Sequence, residues 1–489
     1  MNKNYLTYLF KQRKVAYLFF ILLYAAISLS PFVSNHHADA GNNLENTAVI
    51  AAVGSILFTY ILPVVLFSFM HRKRSVDLYF ALPINRKEMV ITTLVFIIGF
   101  SWLCYAGTVS IAFLLSHVLN VVRWLKLLGY MFVFITVMTL FNTALYMIAN
   151  NIFDGIVMMG AYTCFPFFVF IMISSFFDSI VAGQNGYTEA AQVSAYLSPV
   201  WMGAKQFENV FSDKYSVYLP HLVLLVLFGL LSAYIIKREF TDRSTERAEQ
   251  VSDEFFSYPL VINMYAMILL ASMAFGKISI TSFRNNLSWY LILLMIYIVA
   301  MFVYRRKIQV KLKDLLIYGI GIVLSLAFTF AAWNTRGFGL ADNYRFGTKQ
   351  YIVYTYSFSA DRENLAVPID STGKFEDEVY VNYTAEFRTA DYDQYREVID
   401  LLENKRKSAI DEFYIRDEPQ YSGYLGIWNS DNSLREGYDG DSYNYNTVIP
   451  FTEEELKLLD KYGHMTLFVP SYDDMNEMRL SEFLERRGE

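Results

Sequence analysis

The 489-residue chain is 54% hydrophobic and only 18% charged, where soluble domains carry about a quarter charged residues, so a purely water-soluble globule is excluded at the outset. The charge is unevenly placed: residues 1–334 hold 24 Lys and Arg against 16 Asp and Glu, a net of +8, and residues 335–489 hold 17 against 31, a net of −14. A basic, apolar first part and an acidic, Tyr-rich second part are separate physical objects meeting near Asn334; with only Cys104 and Cys164, each in an apolar run, neither is a disulfide scaffold.

Residues 1–14 read as an amphipathic interfacial helix. Tyr5, Leu6, Leu9 and Phe10 share one helical face, and Lys3, Lys11, Arg13 and Lys14 offer cations to lipid headgroups; a flexible basic tail is the alternative. No small-residue cleavage site follows the apolar stretch 15–30, so it reads as a retained first helix. A helix rises about 1.5 Å per residue and a hydrocarbon core is about 30 Å thick, so about 20 apolar residues cross it. By that test about nine spans are predicted, at 15–33, 48–70, 89–117, 125–149, 152–177, 217–236, 258–276, 287–304 and 314–333. The division between the fourth and fifth rests on the polar stretch 150–155.

With the N-terminus in the cytoplasm, the inner segments hold Lys3, Lys11, Arg13 and Lys14, then Arg72, Lys73, Arg74, Arg86 and Lys87, then Lys237, Arg238, Arg243 and Arg247, then Arg305, Arg306, Lys307, Lys311 and Lys313. The outer connections are poorer, with Arg123, Lys205, Lys214, Lys277 and Arg284. This follows the positive-inside rule, and an odd span count then puts residues 335–489 outside the cell. The spans are almost free of ionisable groups at depth, against secondary transport, intramembrane hydrolysis and voltage sensing. No GxxxxGK[ST] loop occurs, so energy for uphill movement would come from another polypeptide. No catalytic residue, cofactor, metal site or nucleic-acid partner is expected.

The loop over residues 71–88 reads HRKRSVDLYFALPINRKE. Basic residues flank a short amphipathic core of Leu78, Tyr79, Phe80 and Leu82, stopped by Pro83. Such a stripe suits either a groove on a cytoplasmic partner or a helix resting on the bilayer. The segment DLYFALPINR at 77–86, followed by a long span, resembles the D-x-Y-x-S-L-P-I-x-R segment of ABC-2-type permeases, the membrane subunits of ABC exporters, with Ala81 where Ser is commoner. The amphipathic N-terminal helix resembles that family's elbow helix, and residues 15–250 resemble its six-span unit, ending in a charged segment at 237–249. The resemblance implies a coupling helix that docks on a separate ATP-binding subunit through Arg72, Lys73, Arg74, Asp77, Leu78, Tyr79, Leu82, Pro83 and Arg86. It also implies a second permease copy or paralogue beside it in the lipid bilayer. Three further spans over 251–334 and a soluble C-terminal domain resemble a subset of such permeases from Gram-positive bacteria.

Residues 335–489 are predicted to form an acidic extracellular α+β domain. Strands are expected at 350–358, 378–387 and 464–470, and helices at 392–407, from Thr452 with Glu455 completing a capping box, and at 472–487. Asp439 and Asp441 read as a solvated acidic turn, since the later ligands of a calcium loop are missing. The function expected is the permease subunit of an ATP-driven exporter of an unidentified substrate, with an antimicrobial peptide, a lipid and a drug as candidate classes. The alternative is a non-transporting membrane sensor whose outer domain binds a ligand.

Overall fold

The computed structural model describes residues 2–34, 40–117, 120–183, 186–211, 219–241, 245–250, 257–276, 280–342, 351–361, 378–388, 396–415, 423–430, 440–447, 455, 458, 461–462, 464–470 and 475–478. The helices are α1 (Lys3–Gln12), α2 (Lys14–Ser28), α3 (Ser30–Ser34), α4 (Ala40–Leu66), α5 (Lys73–Phe80), α6 (Arg86–Ser116), α7 (Val121–Ile148), α8 (Ile152–Ile180), α9 (Gly186–Leu197), α10 (Pro199–Phe211), α11 (Leu219–Thr241), α12 (Tyr258–Ala274), α13 (Ile280–Arg305), α14 (Leu312–Asn334) and α15 (Arg396–Ile415). Short 3₁₀ turns lie at Ser68–His71 and Thr245–Arg247. The strands are β1 (Tyr351–Asp361), β2 (Glu378–Arg388), β3 (Gly423–Ser430), β4 (Gly440–Thr447), β5 (His464–Pro470) and β6 (Met475–Met478).

Among the described residues, seven helices are long and apolar enough to cross a bilayer: Gly41–Leu66 within α4, then α6, α7 and α8, Leu219–Phe240 within α11, Asn286–Arg305 within α13, and α14. The chain is thus a helical membrane protein. Two predicted spans are shorter than the sequence suggested. The stretch at 15–33 is broken because α2 ends at Ser28, and α3 restarts with Pro31 in its first turn, where the missing N–H is no loss. The 15 residues of α2 reach about 22 Å, and the 17 of α12, which ends before Gly276 at φ +126°, about 25 Å. Both fall short of a hydrocarbon core of about 30 Å. The α7–α8 division lies where the polar stretch put it: Asn151 Oδ1 accepts from the Asp154 N–H at 2.8 Å and caps α8.

The chain divides into two compact units. The first comprises Met1–Phe170, Ala191–Ala266 and Ile292–Leu315. Its most enclosed span is α7, packed against α4, α6, α10 and α11. Two polar pairs bridge its helices: Asn142 Nδ2 donates to Thr59 Oγ1 at 3.0 Å, and the Tyr60 and Thr163 hydroxyls meet at 2.8 Å. In α1 the apolar face is narrower than predicted. Tyr5 and Leu9 are buried and Leu6 packs partly buried against the core, whereas Phe10 is 52% exposed, so three of the four residues carry the packing. The Asn2 N–H donates to Thr92 Oγ1 at 3.1 Å and ties α1 to α6. The predicted connection after α8 contains α9 and α10; the Tyr130 hydroxyl on α7 donates to the Gly203 carbonyl on α10 at 3.0 Å.

Close packing of α2 on α4 depends on Gly54. A Cβ there would stand 2.7 Å from the Tyr24 ring, and that ring cannot swing away because its hydroxyl donates to the Ala51 carbonyl at 2.7 Å and meets Ser55 Oγ at 2.8 Å. Gly54→Ala is therefore expected to destabilise by about 1–3 kcal/mol, the usual cost of overpacking. Thermal unfolding in detergent micelles checks this, and an unchanged midpoint refutes the contact.

The second unit comprises Ile171–Ala190, Met267–Leu291 and Leu316–Glu489. Here Phe176 clusters with Phe275, Phe328 and Phe338 at ring separations of 5.5, 5.9 and 6.4 Å. Beyond α14 four consecutive residues, 336–339, have φ of +52°, +68°, +58° and +81°, a left-handed turn. Arg336 in this turn pairs with Asp342 at 3.3 Å and with Asp411 on α15 at 2.8 Å. The Tyr414 hydroxyl donates to the Ile180 carbonyl at 2.6 Å, and its ring packs edge-on against Trp333. The six strands form one sheet in the order β4-β3-β1-β2-β5-β6, with every neighbour antiparallel. Two readings are corrected. Met475–Met478 is a strand paired with β5, where a helix over 472–487 was predicted, and Asp441 lies in β4 opposite Asn429, not in a turn. Asp439, Thr452 and the rest of 479–489 lie outside the described residues.

Candidate functional site

In the first unit a group of basic residues, Arg72, Lys73, Arg74, Arg86 and Lys87, flanks α5 where α4 gives way to it. The 3₁₀ turn Ser68–His71 closes α4, α5 follows from Lys73, and a tight turn through Pro83 delivers the chain to α6, capped by Asn85 Oδ1 accepting from the Lys87 N–H at 3.1 Å. The turn is sharp because Ala81 and Leu82 N–H groups donate back to Asp77 and Tyr79 carbonyls at 3.1 and 3.3 Å, after which Pro83 forbids helix continuation.

The single apolar stripe read from the sequence is in fact two faces. Val76 is buried, and Tyr79 and Phe80, at i+3 and i+4 from it, turn the same way. The Tyr79 ring stacks on Phe69 at 4.2 Å, Phe80 packs edge-on to Phe240 of α11 at 5.9 Å, and the Arg86 guanidinium lies 3.8 Å over the Phe80 ring. Burial, with the neighbouring Tyr8 hydroxyl, pushes Tyr79 up to about 12, so its hydroxyl stays neutral and adds no negative charge to a basic surface. On the opposite face Leu78 is 68% exposed and Leu82 is exposed with it at i+4, beside exposed Arg72, Lys73, Arg74, Asp77 and Pro83. Of the nine residues singled out from the sequence, seven therefore face outward. Tyr79 and Arg86 serve instead to hold the segment from behind.

Three cations crowd the start of α5, where the helix dipole disfavours positive charge and the Arg72 side chain supplies no cap. A distant carboxylate offsets them: the Lys73 N–H donates to Glu249 Oε1 at 3.4 Å, a long bond, from the segment that follows α11. Behind the segment His71 is buried with its ring edge against Tyr146 at 4.4 Å. Val76, Phe69, Phe240 and Glu249 were not among the residues expected here. The Val76, Tyr79, Phe80 spacing carried a signal for the inward face; Glu249, 176 residues from Lys73, carried none.

No family model, curated protein or solved structure matches this chain. What the segment can do is set by its own chemistry. It presents cations beside exposed Leu78 on a short helix and exposed Leu82 in the turn after it, braced from behind by aromatic packing. Among the described residues no three His, Cys, Asp or Glu side chains converge as metal ligands would.

Proposed function

We propose that this chain is the membrane-spanning permease subunit of an ATP-driven exporter of the ABC-2 type, with α5 as the coupling helix for a separate ATP-binding subunit. The observation that carries the reading is the two-faced α5: its inner face is locked to Phe69 and Phe240, while Leu78, Leu82, Arg72, Lys73 and Arg74 stand exposed. A rigid, exposed helix between two apolar helices is what a partner needs in order to push on the bundle. In this reading α1, α5 and the basic residues lie in the cytoplasm, and residues 335–489 form an acidic α+β domain outside the cell. A second permease copy or paralogue completes the pathway for an unidentified substrate.

A non-transporting sensor is the second reading, favoured by the anchoring of α15 to Ile180 and Arg336, which would carry a ligand signal from the C-terminal part into the helices. Reconstitution with an ATP-binding cassette protein, sought first in the neighbouring reading frames, separates the two. The exporter reading expects ATP hydrolysis to rise in the presence of this chain and a fluorescent cationic peptide or lipid to move only with ATP. Stable association without ATP-dependent movement would favour the sensor.

A further inference from the structure

We propose that Asp154 is a positioning residue, the centre of a junction through which displacement of α5 reaches the later helices α12 and α13. The inference takes its functional meaning from α5 as a coupling helix, but the linkage itself stands on geometry alone. Asp154 lies in the first turn of α8 and is 7% exposed. Its Oδ1 accepts from the Tyr258 hydroxyl at the head of α12 at 3.0 Å, and its Oδ2 accepts from Asn151 Nδ2 at 2.9 Å. The Arg306 guanidinium, just past the end of α13, stands 3.7 Å from the same Oδ2. One turn further along, Met158, Tyr258 and Val261 form a small buried cluster joined by Tyr304. One carboxylate thus ties the start of α8 to the head of α12, 104 residues away, and to Arg306 just past α13.

The other side of the junction leads to α5. The Glu249 N–H donates to the Asn150 carbonyl at 2.9 Å, while its carboxylate accepts from Lys73 at the start of α5. Glu249 makes both contacts from φ +63°, a conformation that a non-glycine residue holds only when its surroundings impose it. The chain therefore runs from Lys73 to Glu249, to the turn at Asn150, to Asp154, and on to Tyr258 and Arg306. A charged segment after α11 would be expected to hang free; here it straps the coupling segment to the root of α8.

Hydrogen exchange on the full chain in lipid nanodiscs, with no ATP-binding subunit present, tests the linkage apart from the coupling role. Asp154→Ala removes two side-chain hydrogen bonds and is expected to speed exchange by about five-fold or more, not only at 151–156 and 258–261 but also in α5 at 73–80 and at 248–250. Asp154→Asn keeps one acceptor oxygen for Asn151 Nδ2 and turns its NH2 toward the Tyr258 hydroxyl, which can accept in place of donating, and should leave α5 near wild type. Acceleration confined to 151–156 and 258–261 would overturn the proposal. Should Asp154→Ala not fold, Glu249→Gly relieves the backbone, removes the Lys73 contact and, by reciprocity, should loosen 149–157 as well as α5. Unchanged exchange at 149–157 in that variant overturns the proposal equally.

Discussion

Leu78→Asp is expected to weaken association with the proposed ATP-binding subunit by about 100-fold or more while leaving the helices folded. Burying a leucine in an interface contributes about 1.5–3 kcal/mol, and each 1.4 kcal/mol is a factor of ten in affinity. A carboxylate buried there without a partner adds its own desolvation cost. In the free chain Leu78 is 68% exposed, so folding stability should move by no more than about 0.5 kcal/mol. Reversing Arg72, Lys73 and Arg74 to Glu is a sharper control. Negative charge at the start of α5 suits the helix dipole, so the helix should be firmer while the docking surface loses its cations. Pull-down of the ATP-binding subunit, with thermal unfolding in parallel, reads both effects. Association that survives both changes removes the coupling assignment.

Asp314→Ala is expected to cost about 3–5 kcal/mol of stability, the largest effect of any single substitution considered. Arg305 ends α13 and Asp314 opens α14, and the two meet through paired bonds of 2.5 and 2.7 Å. Both side chains are largely buried, at 16% and 7% exposure, so removing one leaves the other charge stranded. Each also sits at the helix end its charge favours, the carboxylate at an N-terminus and the guanidinium at a C-terminus. The exchanged pair Arg305→Asp with Asp314→Arg should recover only part of the loss, because both charges then oppose their helix ends. Unfolding in detergent micelles measures all three. Equal midpoints for Asp314→Ala and wild type would show the pair to be solvent-screened.

Hydropathy made the long spans legible because roughly 20 apolar residues admit few other structures, and the α7–α8 break was legible because Asn150, Asn151 and Asp154 interrupt the run. The two short helices were not, since hydropathy averages over Pro31 and Gly276, which end helices by backbone geometry. At the candidate site the exposed half could be read: charges and leucines around Pro83 stand where the sequence put them. The bracing half could not, because Phe240 and Glu249 reach α5 from the far end of α11, and such contacts leave no local period. In the C-terminal part β1, β2 and β5 showed themselves through β-branched and aromatic residues. β3 and β4, rich in Gly, Asn and Ser, took their strand form from ladder pairing, β3 with β1 and β4 with β3.

The left-handed turn at 336–339 has a consequence for how the C-terminal part can respond to anything that binds it. A flexible linker lets a module search a volume set by its length and isolates it from strain. Here Gly337 is pinned at φ +68° with its α-carbon so near Val181 that a Cβ would stand 2.7 Å away, and Arg336 holds Asp411 of α15 from the same turn. The joint is a bracket, not a tether. Through Arg336 and Tyr414, α15 is held to the end of α14 and to Ile180, so a force applied to it acts on the end of α14.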